Sequence, residues 1–229
     1  MDSRLPRCIT ALLLSVCLMS LTGCNVIGIV GTVIGPPDTG AAYTKLKGET
    51  VGVLVWADRG ARLDYPSLQA DIAKSLTSKL SELTKPKNPK TKPREEMVGI
   101  QYLNPMSIVR FQEDHPEFDG LPAQDVAVRL GVTRVIYIEV KDFRTHSTES
   151  PDIFKGTVTG SVQVVEVTPG ANKVATIGYS DPSLDVNYPP DRPEGIPYGD
   201  VSTQMIYDRT IDQFTTEISM LFFRHSAKQ

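Results

Sequence analysis

The chain has 229 residues, 40% of them hydrophobic and 22% charged, with a formal net charge of −3. That length suits one domain with tails, and the mildly acidic balance gives no reason to expect nucleic acid as a partner. Three cysteines, Cys8, Cys17 and Cys24, all lie near the start, so the body of the protein is held by its core and not by disulfides.

The order of the first residues is that of a secreted protein. Arg4 and Arg7 form a short positive region, with Asp2 beside them, and Cys8 to Leu21 is an uncharged apolar run. Leu21-Thr22-Gly23-Cys24 then resembles the lipobox of bacterial lipoproteins. Gly23 is the small residue a signal peptidase needs, and the Cys24 thiol is the acceptor for diacylglycerol. Cys17 is a poor alternative because bulky Val16 precedes it. A lipoprotein cysteine carries two or three acyl chains, which hold a protein firmly where one holds it marginally. The competing reading is an uncleaved transmembrane helix, since Cys8 to Gly35 carries no charge and spanning needs about 20 apolar residues. Gly23, Gly28, Gly31 and Gly35 disfavour it, each costing roughly 1 kcal/mol against alanine in a helix. Both readings keep Arg4 and Arg7 inside and export the rest. Cleavage before Cys24 leaves 206 residues with net charge −4 and Cys24 as the sole cysteine.

Residues 24–48 are expected to be the lipidated cysteine and a flexible tether. NVIGIVGTVIG (Asn25 to Gly35) serves as that tether or as an edge strand on a partner, and Pro36-Pro37 ends it. Aspartate after the cysteine retains enterobacterial lipoproteins in the inner membrane, so by resemblance Asn25 favours outer-membrane sorting. From residue 49 to 225 the pattern is that of a single α/β domain. Thr50 to Trp56 is a strand with Val51, Val53 and Val55 on one face and Leu54 and Trp56 on the other, as expected where both faces are covered. ADRGARLDY reads as a loop. Pro66 to Leu83 reads as a helix, with Leu68, Ile72, Leu76, Leu80 and Leu83 along one side. Thr84 to Glu95 is a proline-broken basic loop with Lys85, Lys87, Lys90, Lys92 and Arg94. It is a solvated insertion or a finger for an anionic surface, each basic residue adding about 1 kcal/mol there.

Met97 to Leu103 is the second expected strand. Asn104 and Pro105 then supply an N-cap and a first-turn proline for a helix through Phe111. Pro122 to Leu130 is a further short helix, with Gly131 as its C′ residue, and Thr133 to Val140 is the third strand. Gly156 to Val167 alternates, with Val158, Val162 and Val164 inward and Thr157, Thr159, Ser161 and Gln163 outward. A turn at Pro169-Gly170-Ala171-Asn172 leads into a return strand, Lys173 to Tyr179. Ser183 to Gly199 is expected to be a loop. The terminal helix, residues 201–223, carries a seam of Tyr207, Ile211, Phe214, Ile218 and Leu221, read as intramolecular core in preference to a coiled-coil face. The order β-α-β-α-β-β-β-α predicts an α/β (α+β-like) fold. Its mixed sheet has three to five strands, the first three parallel and the last hairpin antiparallel, with helices packed on it.

Several stretches carry a resemblance: TVGVLVW, IAKSLTSKL, VGIQYL, AQDVAVRLG running into VTRVIYIEV, and VQVVEVTPGANKVATIGY. In this order, over about residues 49–180, they resemble the α/β domain of envelope proteins related to the amino-terminal domain of the Tol-system translocation protein. That module also occurs in penicillin-binding-protein activator lipoproteins and in the curli secretion channel lipoprotein. The resemblance implies a non-enzymatic interaction domain and carries over no catalytic residue.

Direct signs of chemistry are few. His115, His146 and His225 show no ligand-pair spacing, and no nucleophile elbow, P-loop or dinucleotide fingerprint occurs. Glu113, Asp114, Glu117 and Asp119 are acidic neighbours without the spacing of a calcium loop. Asp58, Arg59, Arg62, Asp64 and Tyr65 follow the first strand, where open α/β sheets place ligands. Asp58, Arg59 and Asp64 are therefore the candidate binding crevice, against the plainer reading of an ion-paired surface loop. No metal site is expected, and no cofactor beyond the covalent diacylglycerol and N-acyl lipid on Cys24. The expected function is a lipid-anchored periplasmic adaptor, non-enzymatic, binding another envelope protein and no nucleic acid. The alternatives are a subunit of a homo-oligomeric envelope assembly, and a small-ligand binder or cryptic hydrolase.

Overall fold

The computed structural model describes residues 38–85, 94–170, 173–199 and 201–226. The lipobox Leu21–Cys24, the Asn25–Gly35 tether, Lys87, Lys90 and Lys92 of the basic loop, and turn residues Ala171 and Asn172 lie outside the described residues. Among the described residues no helix is long and apolar enough to cross a membrane. The chain divides into two compact units. In the smaller, Asp38 and Thr39 pair antiparallel with Ser226 and His225. The larger is Ala41–Phe223.

The larger unit is a mixed sheet with helices on it, the fold class that the element order predicts, with six strands where three to five were expected. Its strands are β1 (Thr50–Ala57), β2 (Gln101–Tyr102), β3 (Arg134–His146), β4 (Ile153–Thr168), β5 (Val174–Tyr188) and β6 (Ile196–Pro197). The helices are α1 (Arg59–Asp64), α2 (Leu68–Thr84), α3 (Pro105–Asp114), α4 (Ala123–Arg129) and α5 (Thr203–Met220). The sheet order is β2-β1-β3-β4-β5, with β6 against the start of β4. β1 is parallel to both β2 and β3, whereas β4 is antiparallel to β3 and to β5.

Each face of the sheet has its own core. Val53, Val55, Ile136, Ile138, Val158, Val162 and Val164 point to the first face, under α2 and α5. There α2 contributes Leu68, Ile72, Leu76 and Leu80, all fully buried, and α5 contributes Tyr207, Ile211, Phe214 and Ile218. The seam of the terminal helix is thus intramolecular core, and Leu221 packs at its margin. Ser75 Oγ meets Thr215 Oγ1 at 2.8 Å and Lys79 Nζ reaches Asp212 Oδ1 at 2.6 Å, fixing the two helices side by side. The second core is smaller: Leu54, Val135, Val165 and Val167 lie under Ile108 of α3 and under Ala123, Val126 and Ala127 of α4.

Several elements differ from the sequence reading. The stretch after β1 is a short helix, α1, because the Asp58 carboxylate accepts from Gly60 N at 3.0 Å and caps it. The second strand shrinks to two residues. Met97 and Ile100 are buried from turns before it, so they fill the core without joining the ladder. β3 runs to His146 and β5 to Tyr188, replacing part of the expected 183–199 loop. Pro182 is tolerated because β5 is the outer strand on that side. Ser161, expected outward, is buried with its Oγ 3.2 Å from Glu139 Oε2. Tyr43 and Leu46, in the stretch read as tether, are buried in the main core. Tyr43 N donates to Leu221 O, and its hydroxyl donates to Glu166 Oε1 at 3.0 Å.

Glu166 also accepts from Lys45 Nζ at 3.2 Å, and Arg134 bonds Glu49 Oε1 at 2.8 Å. Burial pushes the Glu166 carboxyl up. The hydrogen bonds from Lys45 and Tyr43, with the charges of Lys45 and Arg134, outweigh that and hold it below the ordinary glutamate value of 4.5. A depressed carboxylate stabilises the fold above its unfolded pKa and loses that contribution as pH falls through its folded one. Glu166→Gln should therefore be less stable to urea than the parent at neutral pH, with the gap closing under acid. Equal gaps at neutral and acid pH would remove this account. A second prediction concerns Gly156, where an added Cβ would collide with the Thr210 side chain of α5. Gly156→Ala should cost about 1–3 kcal/mol through overpacking, read as a lower urea midpoint, and an unchanged midpoint would contradict the close approach.

Candidate functional site

The three residues nominated from the sequence take different roles. Asp58 is exposed and caps α1, while its own N–H donates to Val140 O at 2.9 Å. Arg59 is exposed on the first turn of α1. Asp64 lines a cleft of about 430 Å³ between the α1–α2 connection and the first turn of α5, with Tyr65, Ser67, Asp71, Gln204 and Tyr207. This cleft lies past the carboxyl end of β1 and beside that of β3, where Tyr65 Oη meets Thr145 Oγ1 at 3.0 Å. Tyr65 and Tyr207 stack with centroids 5.6 Å apart, and Phe143 stands edge-on to both. The Tyr207 hydroxyl donates to Asp71 Oδ2 at 2.9 Å; burial first, and then that bond, raise its phenol above the ordinary value. It is therefore a neutral donor at physiological pH.

Arg62, from the same segment, joins two parts of the chain. Its Nη1 is 2.7 Å from Asp119 Oδ2, and its guanidinium stands over the Trp56 ring, 5.8 Å from the centroid. Asp119 was one of the acidic neighbours in the sequence; the structure gives it to Arg62. Glu117 pairs with His115 at 3.0 Å and its carboxyl is held low, first by its own backbone N–H and then by that histidine. Among the described residues no group of three acidic, histidine or cysteine side chains forms a metal site. His115 packs against Phe111 and Phe118, which also stack on each other, and His146 against Phe154.

A second concave surface lies on the other face of the sheet. The ladder places Trp56 beside Glu139 and Glu139 beside Ser161, with Tyr137 beside Gln163 in the next row. α3 and α4 reach Trp56 and Tyr137 through Phe111, Gln112 and Val126, while Glu139 and Gln163 line the open side beyond them. The result is a groove of about 400 Å³ lined by Trp56, Tyr137, Glu139, Gln163, Ile177 and the Gly120–Gln124 segment. Burial pushes the Tyr137 phenol up to about 12, with Glu139 and Asp119 adding to the shift. Trp56 Nε1 is buried and meets no acceptor among the described residues. Behind these rows Gln69 and Gln112 both donate to Val55 O, at 2.7 and 2.9 Å. They serve the carbonyl that short β2 leaves unpaired.

No family model matches the chain, and no curated protein matches it either. Among solved structures it is similar to the PelC dodecamer from Paraburkholderia phytofirmans, at 10% identity and a TM-score of 0.38, covering 84% of this chain and 97% of that one. It is also similar to lipoprotein GNA1162 from Neisseria meningitidis, at 12% identity and 0.39, covering 74% and 97%. A third is the hypothetical protein CT253 from Chlamydia trachomatis, at 14% and 0.38, covering 76% and 96%. These scores fall short of assigning the chain to any of them.

Trp56 is the only tryptophan, so its fluorescence reports on the Arg62 contact. Arg62→Ala should shift its emission to longer wavelength and raise acrylamide quenching, because removing the guanidinium uncovers the ring. An unchanged spectrum would show that Arg62 does not shield it.

Proposed function

We propose that this protein is a lipid-anchored periplasmic adaptor that binds another cell-envelope protein and catalyses no reaction. The observation that carries the reading is Leu21-Thr22-Gly23-Cys24, a lipobox placed after an uncharged run and ahead of an α/β body. Diacylglycerol and an N-acyl chain on Cys24 would hold that body against the membrane, and Asn25 favours the outer one. The resemblance of residues 49–180 to the Tol-type module supports an interaction role. The groove of Trp56, Tyr137, Gln163 and Ile177 supplies a half-apolar surface on which a partner can dock. A homo-oligomeric assembly is the second reading.

The anchor is tested by Cys24→Ala in the native host. Labelling with palmitate should disappear, and the chain should accumulate as precursor or appear in the soluble fraction. A native protein whose Cys24 sulfur is unmodified by mass spectrometry would end the reading. For the groove, Leu121→Asp with Gln124→Arg should abolish recovery of the protein that co-purifies with the parent from solubilised envelopes. The Asp58→Asn chain should retain it.

A further inference from the structure

We propose that the cleft between the α1–α2 connection and the start of α5 is a binding site for an alkylammonium group, the head of a lysine side chain or of a polyamine. This inference does not depend on the anchor or on the groove. It rests on what lines the cleft and on what does not. Asp64, Tyr65, Pro66, Ser67, Asp71, Thr203, Gln204 and Tyr207 are the lining residues, and none of them is basic. Two are carboxylates, and the others that face a ligand offer hydroxyl and amide oxygens or aromatic rings.

Charge decides the class of ligand. α5 begins at the cleft, and a helix N-terminus carries about half a positive charge. Its Ser202 cap already satisfies Met205 N at 3.1 Å. Asp64 and Asp71 bring two negative charges, so the sum is negative and an anion is repelled. A lone metal ion is a poor fit, because the described residues hold no cluster of three ligands and hard cations take six or more oxygens. An ammonium head needs only three acceptors.

The geometry is held in advance. Tyr207 is fixed on the seam of α5, where it is 7% exposed, and its hydroxyl donates to Asp71 Oδ2 at 2.9 Å. That bond aims one carboxylate oxygen and leaves the other free to accept. Ser67 Oγ lies 3.4 Å from the same hydroxyl. Tyr65 stacks on Tyr207 and is tied to β3 through Thr145, so its ring is also kept in place. Asp64 is exposed at the rim and Asp71 is half-buried, which gives an entering cation first an outer partner and then an inner one. The volume of about 430 Å³ admits a side chain or a short polyamine.

Isothermal titration calorimetry on the full chain in detergent tests this, with trilysine, spermidine and trilysine acetylated at its α-amine and all its ε-amines as probes. Trilysine or spermidine should bind saturably and weaken with salt, and the acetylated peptide should not bind. Binding of trilysine alone would identify a protein lysine as the source, and binding of spermidine alone a polyamine. Asp71→Asn and Asp64→Asn should each lower the affinity about tenfold, the scale of one charge-assisted hydrogen bond. Asp191→Asn with Glu194→Gln, elsewhere on the acidic surface, should leave it unchanged. Absence of saturable binding by either cation overturns the proposal. So does equal loss in the Asp191/Glu194 control, which would mark general attraction to an acidic protein. Circular dichroism of each variant separates a lost site from a lost fold.

Discussion

The close packing of α5 on β4 is the contact on which the rest of the sheet depends. A helix can lie that near a strand only where side chains are missing. Gly156 gives way to Thr210, while Gly160 gives way to the Glu139 carbonyl of β3, with the ring of Phe214 in ordinary contact beyond it. With α5 seated there, α2 packs beside it, and together the two long helices seal the first face. Among the described residues the sheet's second face receives α3 and α4, of ten and seven residues, with Phe118 of the turn between them. They bury Leu54, Val135, Val165 and Val167 and then run out. Trp56, Glu139 and Gln163, further along the same strands, are left as the floor of a groove. The groove thus follows from helix length, because a short helix cannot cover a long strand.

The sheet also has an open edge at its outer strand. β5 carries exposed Val174 and Ile177 and, among the described residues, has no neighbour on its far side in the sheet order. An unpaired edge is a template for uncontrolled pairing unless something blunts it. Two register irregularities interrupt the β4–β5 ladder, between Gly160 and Val162 and between Val164 and Val165. Pro182 removes a donor, and Asp181 and Asp185 place charge along the edge. Bulges, proline and charge are all means of keeping an edge single.

Much of the architecture was legible because burial imposes periodicity. Val51, Val53 and Val55 against Leu54 revealed a strand covered on both sides, and the spacing of Leu68 to Leu80 a helix with one buried stripe. Gly131, with φ of 71°, ends α4 as a C′ residue should. Where polar residues alternate or caps act alone, periodicity is silent. α1 has one buried residue, Ala61, so only the Asp58 cap defines it. The distal halves of β3 and β5 contain Lys141, Arg144, Asp181 and Asp185, which look like loop residues until the hairpin partner is known. The site was legible only in outline. Asp64 was among the residues named at the end of β1, but Asp71 lies on one helix and Tyr207 on another, 136 positions further on. Arg62 and Asp119 are separated by 57 residues. Nothing in local spacing announces pairs that only tertiary packing brings together.

Tyr207 shows how the core and the cleft depend on one another. Its ring belongs to the α5 seam and stacks on Tyr65 against Phe143, so hydrophobic packing sets its position. Its hydroxyl lies at the polar end of that packing and orients Asp71. Removing the ring would take away core area and aim at once, whereas removing only the hydroxyl would leave the core and free the carboxylate. A tyrosine suits this place better than a phenylalanine, because a buried ring is rigid and its single polar atom finds a fixed acceptor. The same apolar contacts that join α5 to the sheet therefore determine where the negative charge in the cleft points.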